Sequence, residues 1–315
     1  MTAPQPEDRL WDLVRGALGT RALAIVTDLG VAQALAAGPR HVEELAQEVA
    51  ADPDALRRLL RALASEGVFA EEEPGVFRNT EASELLRDGW GAFAHLFGGV
   101  WFRAAGALDS SGQPSFPGAF GADFWSWLAR NADERALFDR AMEQGNDRRV
   151  SRLAELDWGD GETVVDVGGG NGSLLAGLLR RHHGLRGIVF DLPETARDEA
   201  RLGDRCTFVA GDFFEGVPRG DVYVLSTILH DWDDESAARI LGTIRACAPS
   251  GARVRILDAV VPDGNGEHGA KWLDLLMLAL FGGRERDEAE WRALLGAGGL
   301  EPVRVADGLI EARCP

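Results

Sequence analysis

Val164-Val-Asp-Val-Gly168-Gly169-Gly170-Asn171-Gly172-Ser173 is the stretch on which the fold turns. A β-branched run passes into a glycine-dense loop, and Leu174 to Arg181 then carries apolar residues at helical spacing. Strand, glycine loop and helix in that order belong to an open α/β sheet, whose ligands sit beyond the carboxyl ends of the strands. Glycine there lets a ligand approach the backbone closely. A dinucleotide fingerprint needs glycine at its sixth position. Counted from Gly168 that position is Ser173, so the run fits GxGxG instead. Gly168 and Gly170 are therefore cofactor-contact candidates.

Downstream, short apolar runs alternate with helical stretches. Thr163–Val167, Gly187–Phe190, Thr207–Val209, Val222–Leu225 and Val254–Leu257 read as strands of a doubly wound parallel sheet. The second run ends in Asp191-Leu192-Pro193, and an acid at that place can accept both hydroxyls of a ribose. The third leads into Gly211-Asp212-Phe213-Phe214, where a carboxylate can accept from an adenine amino group and an apolar neighbour can cover the ring. Matching strand ends in order point to a nucleoside.

Upstream the patterning is helical. From Trp11 to about Ala37 apolar residues fall on several helix faces, and Gly30 divides two helices. Such a surface has to be covered by more than one neighbour, a second subunit among them. Met1 to Leu10 reads as a frayed tail and carries no secretory signal pattern. His41–Ala50 is a short amphipathic helix. Asp52-Pro53 caps the next, and Val68–Ala70 with Val76–Arg78 form a hairpin. That order is a winged helix. DNA binding is disfavoured by its charge: residues 1–90 hold nine Arg against sixteen Asp and Glu. Residues 91–150 are rich in aromatics and read as helical linker and pocket wall, with Trp101, Phe102 and Phe138 as candidates.

The composition sets the outer bounds. With 315 residues the chain has room for two domains, and its net charge of −18 argues against nucleic acid or an anionic membrane as main partner. No run reaches the roughly 18 apolar residues of a membrane span. Cys206, Cys247 and Cys314 form no CxxC pair, which speaks against a zinc ribbon or disulfide scaffold and fits a reducing cytoplasm.

Taken together, VDVGGGNGS, FDLP, GDFFEGVP and ILHDWDD make the chain resemble the S-adenosylmethionine-dependent small-molecule O-methyltransferases of the plant caffeate/flavonoid type and their bacterial natural-product relatives. The resemblance covers nearly the whole chain. It implies a winged-helix dimerisation domain over 1–90, a helical linker and substrate-pocket region over 91–150, and a Rossmann-like catalytic domain over 151–315. The cofactor would be S-adenosylmethionine, the product S-adenosylhomocysteine, and the assembly a homodimer.

Residue by residue, the family's cofactor contacts fall on Gly168, Asp191, Leu192, Asp212 and Phe213. A lysine of the plant enzymes is replaced here by Ser226. The general base falls on His230. Its orienting carboxylate is either Asp258, where plant members carry Glu, or Glu285. Met142 and Met277 fall where plant members clamp an aromatic acceptor. Phe281 replaces a frequent Asn and makes that end more apolar. The acidic run Asp231, Asp233, Asp234, Glu235 reads as the first turn of a helix from Ser236 to Ile244, with Mg²⁺ binding as its alternative; no metal is expected. Other readings are methyl transfer to nitrogen or carbon, a relative that performs hydroxylation, decarboxylation or cyclisation, and a non-catalytic dimeric ligand sensor. The acceptor itself is not legible.

Overall fold

A computed structural model describes residues 5–193, 195 and 202–315. The chain divides into two compact units, Met1–Gly106 with Asn131–Gln144, and Ala107–Arg130 with Gly145–Pro315. Residues 91–150 are thus shared between the two.

The first unit opens with a long helix, Pro6–Asp28. Pro6 sits in its first turn beside Glu7 and Asp8, and the Asp8 carboxylate accepts from the Gln5 backbone N–H at 2.9 Å. Helix therefore runs through 6–10, where a frayed tail was expected; residues 1–4 lie outside the described ones. Gly30 ends it in the left-handed region at φ +70°. Ala22, Ala24 and Val26 are buried, whereas Leu10, Trp11, Leu13, Val14 and Leu18 remain 60–74% exposed within the single chain. Helices Val42–Glu48 and Pro53–Ser65 follow, the second capped by Asp52, whose carboxylate accepts from the Ala55 N–H at 2.8 Å. Strands β1 (Arg40–His41), β2 (Phe69–Glu73) and β3 (Val76–Asn79) form a small antiparallel sheet in the order β1-β3-β2. The winged-helix order is present, with β1 added.

The second unit carries a seven-stranded sheet in the order β6-β5-β4-β7-β8-β10-β9. Its parallel strands are β4 (Thr163–Val167), β5 (Arg186–Asp191), β6 (Cys206–Ala210), β7 (Val222–Ser226) and β8 (Arg253–Leu257). Alternate residues feed opposite faces. Val165, Val167, Tyr223, Leu225, Val254 and Ile256 pack with helices Asp234–Cys247 and Glu288–Ala297. Val164, Val222, Val224 and Leu257 pack with helices Asn146–Ala154 and Ser173–Arg181. Burial on both faces is why these strands read as continuous apolar runs.

The wholly parallel sheet expected from the sequence is corrected at one edge. β9 (Glu301–Ala306) and β10 (Leu309–Arg313) form a hairpin, and β10 lies antiparallel to β8. Most side chains of β9 face solvent, so it has no apolar run to announce it. Strand order reverses at β4, which pairs with β5 on one side and β7 on the other. The glycine loop leaves the sheet at that point. Among the described residues no helix is long and apolar enough to cross a membrane.

Candidate active site

The carboxyl ends of β4, β5, β6, β7 and β8 carry the residues picked from the sequence. At β4, Gly168 takes φ +71°, and a Cβ there would stand 2.5 Å from the Ile228 side chain. Gly170 takes φ +56°, and a Cβ there would meet open space. The first glycine serves a close backbone crossing. The second leaves open space beside the loop.

Asp191 ends β5 and locks this loop. One carboxylate oxygen accepts from the Gly170 N–H at 2.8 Å, and the other from the Leu192 N–H at 2.7 Å and the Thr195 hydroxyl at 2.6 Å. A carboxylate has about four acceptor sites. Full engagement of two ribose hydroxyls therefore requires the Thr195 contact to yield. Asp212, just beyond β6, accepts from the Phe214 N–H at 2.8 Å. Phe213 and Phe214 both meet Trp232 edge-on, at 5.8 and 4.8 Å between centroids. The three rings cluster just beyond the carboxyl end of β6.

Beneath the loop lies a buried acid that composition and spacing did not single out. Asp166, on β4, is 2% exposed, and its Oδ2 has no hydrogen-bond partner among the described residues. A Cβ on Gly169 would come within 2.8 Å of that oxygen, so the carboxylate lies directly under the loop. Burial pushes its pKa up to about 7, helped by the nearby Asp191 charge and opposed by Arg149. Arg149 donates to the Asn146 side-chain oxygen at 2.6 and 3.1 Å, and Asn146 donates to the Ser173 hydroxyl at 2.6 Å. An Arg-Asn-Ser chain thus joins helix Asn146–Ala154 to the first residue of the helix after the loop.

β7 ends at Ser226. Thr227 then turns the backbone into the left-handed region at φ +56°, which a β-branched residue rarely adopts. The turn Leu229–Asp231 places His230 on the same side of the sheet. Its imidazole is 8% exposed and surrounded by carboxylates. Nδ1 lies 2.8 Å from Glu285 Oε1 and 3.6 Å from Asp258 Oδ1. Asp231 Oδ1 stands 3.5 Å from Nε2. Of the two expected partners, Glu285 makes the hydrogen bond. The other carboxylate oxygen of Asp258 accepts from the Leu229 N–H at 3.2 Å, bracing the turn.

Burial alone would lower the His230 pKa, but the charges of Asp258, Asp231 and Glu285 outweigh it and hold the imidazole up at about 10. Burial raises Asp231 to about 7 and Asp258 to about 6, each pulled back by His230. Donation from Nδ1–H to Glu285 fixes the tautomer and leaves the Nε2 lone pair as the basic one once the ring is neutral.

Asp231 is the difference from the sequence reading. The run 231–235 does contain a helix start, because Asp233 caps Asp234–Cys247 by accepting from the Ser236 N–H at 2.7 Å. Asp231 lies in the buried turn instead. A histidine followed by an acid at a strand's end is the signal that marks it. Asp274, also missed, accepts from the Glu285 N–H at 2.8 Å and sets the height of that side chain. Among the described residues no group of three His, Cys, Asp or Glu side chains is arranged to hold a metal ion.

Met277 and Phe281 share helix Gly269–Phe281 with Asp274. Met277 is buried; Phe281 stacks on Trp125 at 5.5 Å and meets Phe124 edge-on at 4.9 Å. Trp101, Phe138 and Met142 belong to the other unit. Trp101 is buried there, edge-on against Phe97 at 4.9 Å, and its ring N–H has no partner among the described residues.

Comparison with known proteins matches this layout. A family model described as the O-methyltransferase domain covers residues 101–301, and one for the O-methyltransferase dimerisation domain covers 11–88. The chain is 38% identical to a phenazine O-methyltransferase of Lysobacter antibioticus, over 96% of this chain and 95% of that one. It is 39% identical to the O-demethylpuromycin-O-methyltransferase of Streptomyces alboniger, over 95% of this chain and 85% of that one. Among solved structures it is similar to the O-methyltransferase NcsB1 from neocarzinostatin biosynthesis, in complex with S-adenosyl-L-homocysteine and 1,4-dihydroxy-2-naphthoic acid. That likeness has a TM-score of 0.79 and 34% identity, and covers 94% of this chain and 96% of that one. A glycine loop with acidic strand ends, a buried histidine at the fourth strand and an N-terminal dimerisation domain are thus found in one chain, and this chain belongs to the S-adenosylmethionine-dependent O-methyltransferase family.

Proposed function

We propose that this enzyme methylates a hydroxyl of an aromatic natural product and that His230 is the base. The observation that carries the reading is the buried imidazole, hydrogen-bonded through Nδ1 to Glu285, at the strand end next to the glycine loop. The cofactor supplies an electrophilic methyl on a positive sulfur. Gly168, Gly170, Asp191 and Leu192 would hold its ribose end, and Asp212 with Phe213 its adenine. Ser226 offers a hydroxyl where plant relatives place a lysine. The unpartnered Asp166 Oδ2 suits a cationic group of the same molecule.

A phenol has a pKa of about 10 and free histidine about 6.5, so proton transfer between them in water is uphill by about 5 kcal/mol. The carboxylates around His230 close that gap by raising the imidazole to about 10. The same charges make the ring hold its own proton at neutral pH. A positive charge entering beside it lowers the pKa of both acceptor and imidazole and enlarges the fraction of rings whose Nε2 can take the phenolic proton. Glu285 and Asp258 then stabilise the imidazolium that forms.

Met277 and Phe281 are proposed acceptor contacts. Met142, Phe138 and Trp101 are proposed on the family resemblance alone. The exposed apolar face of Pro6–Asp28, inside the matched dimerisation domain, supports a homodimer formed through the N-terminal unit. Calorimetry with S-adenosylhomocysteine, followed by mass spectrometry of a phenol panel incubated with S-adenosylmethionine, tests the reading. Binding together with a gain of one methyl on an aromatic hydroxyl is expected. Binding with methylation only at nitrogen or carbon, or none at all, would overturn it.

A further inference from the structure

We propose that Arg286 is the positioning residue that fixes the His230 turn, so that Glu285 and Arg286 work as one clamp on the base. This rests on the reading of His230 just given.

Arg286 is fully buried. Its guanidinium donates from Nη1 to the Leu229 carbonyl at 3.0 Å, from Nη2 to the Trp232 carbonyl at 2.9 Å and from Nε to Asp234 Oδ1 at 2.8 Å. Leu229 and Trp232 flank the His230–Asp231 pair, so one side chain grips the turn before and after the base. The ring of Trp291 lies 5.4 Å from the guanidinium carbon and walls it off from water. The backbone is fastened as well. Arg286 pairs with Val260 as a parallel bridge, and its carbonyl accepts from the Val261 N–H at 2.9 Å, just past Asp258.

Chain geometry explains the division of labour. In an extended segment successive side chains point to opposite sides. Glu285 therefore reaches the imidazole while Arg286 reaches the turn's backbone. Arg284 adds its N–H to the His230 carbonyl at 2.9 Å. Gly283 has no room for a side chain, since a Cβ there would stand 2.2 Å from that same carbonyl. The segment 283–286 is thus shaped around one histidine turn.

Guanidinium suits the task for two reasons. Its planar fork addresses three acceptors at once, which a lysine ammonium on a flexible stem does not. It also places a fixed positive charge that reaches Asp258, with Asp234 and Arg284 at the outer edge. Removing that charge leaves Asp258, the largest charge acting on the imidazole, less compensated, so His230 would bind its proton more tightly.

Arg286→Met and Arg286→Lys test the proposal, in full-length protein. With Arg286→Met, kcat for a phenol is expected to fall about 10–100-fold, as a displaced catalytic group commonly costs. The S-adenosylhomocysteine Kd and the acceptor KM should stay within about twofold, because only the base is misplaced. Nitrogen-15 NMR of His230 in the cofactor-free protein should show a higher pKa than wild type, and the rising limb of kcat against pH should move upward. Arg286→Lys, which keeps the charge and loses the fork, should lower kcat while leaving the titration near that of wild type. Should Arg286→Met not fold, this split between rate and titration in the lysine variant decides the matter.

Wild-type kcat and titration in Arg286→Met would overturn the proposal. Loss of cofactor binding in step with kcat would overturn it too, by reducing Arg286 to general support. If the wild-type protein methylates no phenol, the functional reading fails, and the NMR arm still decides whether Arg286 sets the state of His230.

Discussion

At neutral pH in the absence of cofactor, the His230 imidazole carries a proton, since three carboxylates hold its pKa near 10. A base in that state cannot accept another proton. Cofactor charge lowers that pKa and so enlarges the neutral fraction of the ring. A unit charge about 6 Å away at an effective dielectric of about 20 contributes about 2.8 kcal/mol, or about two pH units. S-adenosylmethionine carries that charge on sulfur and S-adenosylhomocysteine does not. His230 is accordingly expected to titrate about two pH units lower with the first than with the second, as followed by NMR. Equal titration in both complexes would contradict the role given to the cation. The residues around this histidine were legible unevenly. His230, Asp258 and Glu285 lie in motifs that a strand-end reading and a family resemblance reach. Asp231 was absorbed into a helix start, and Arg286 has no motif of its own. Two of its acceptors are backbone carbonyls far away in sequence, and no side-chain pattern records a backbone acceptor.

β4 with its glycine loop is the element at which strand order reverses. The strand was readable because burial on both faces demands β-branched residues throughout, and the loop because left-handed turns and close approach demand glycine. The Asp166 carboxylate is the exception inside that apolar run. Its folded pKa, about 7, stands above the ordinary 3.8. Its contribution is thus fully present below about pH 3.8 and declines as pH rises to about 7, above which the folded protein bears the full cost of a buried charge. Asp166→Asn is expected to stabilise the fold at pH 8, by a few kcal/mol at most, and to do so less at pH 5, as read from thermal unfolding. Cofactor affinity should fall in the same variant. An equal change in stability at both pH values would show that the carboxylate is not the source of the strain. The β9–β10 hairpin remained hidden for the opposite reason, because β9 buries so little that it lacks the pattern that betrays a strand.

For the whole molecule, Leu10, Trp11, Leu13, Val14 and Leu18 form an apolar face on Pro6–Asp28 that the single chain leaves open. The sequence announces it as a helix apolar on too many sides, though not which side stays uncovered. Homodimers are expected at micromolar concentration by sedimentation, and Val14→Asp with Leu18→Asp should shift the species to monomer. A well-folded wild-type monomer would contradict this. The role of His230 as base is tested directly by product labelling. Wild type and His230→Ala are each incubated with a phenolic acceptor and S-adenosylmethionine labelled with carbon-13 in its methyl group, and the product is read by NMR. Wild type should form an aryl O-¹³CH₃ ether, and His230→Ala should form the same product about 10²–10⁴-fold more slowly with cofactor affinity nearly unchanged. Near-wild-type turnover in the alanine variant, or label arriving on nitrogen or carbon, would rule out His230 as the base of an O-methylation.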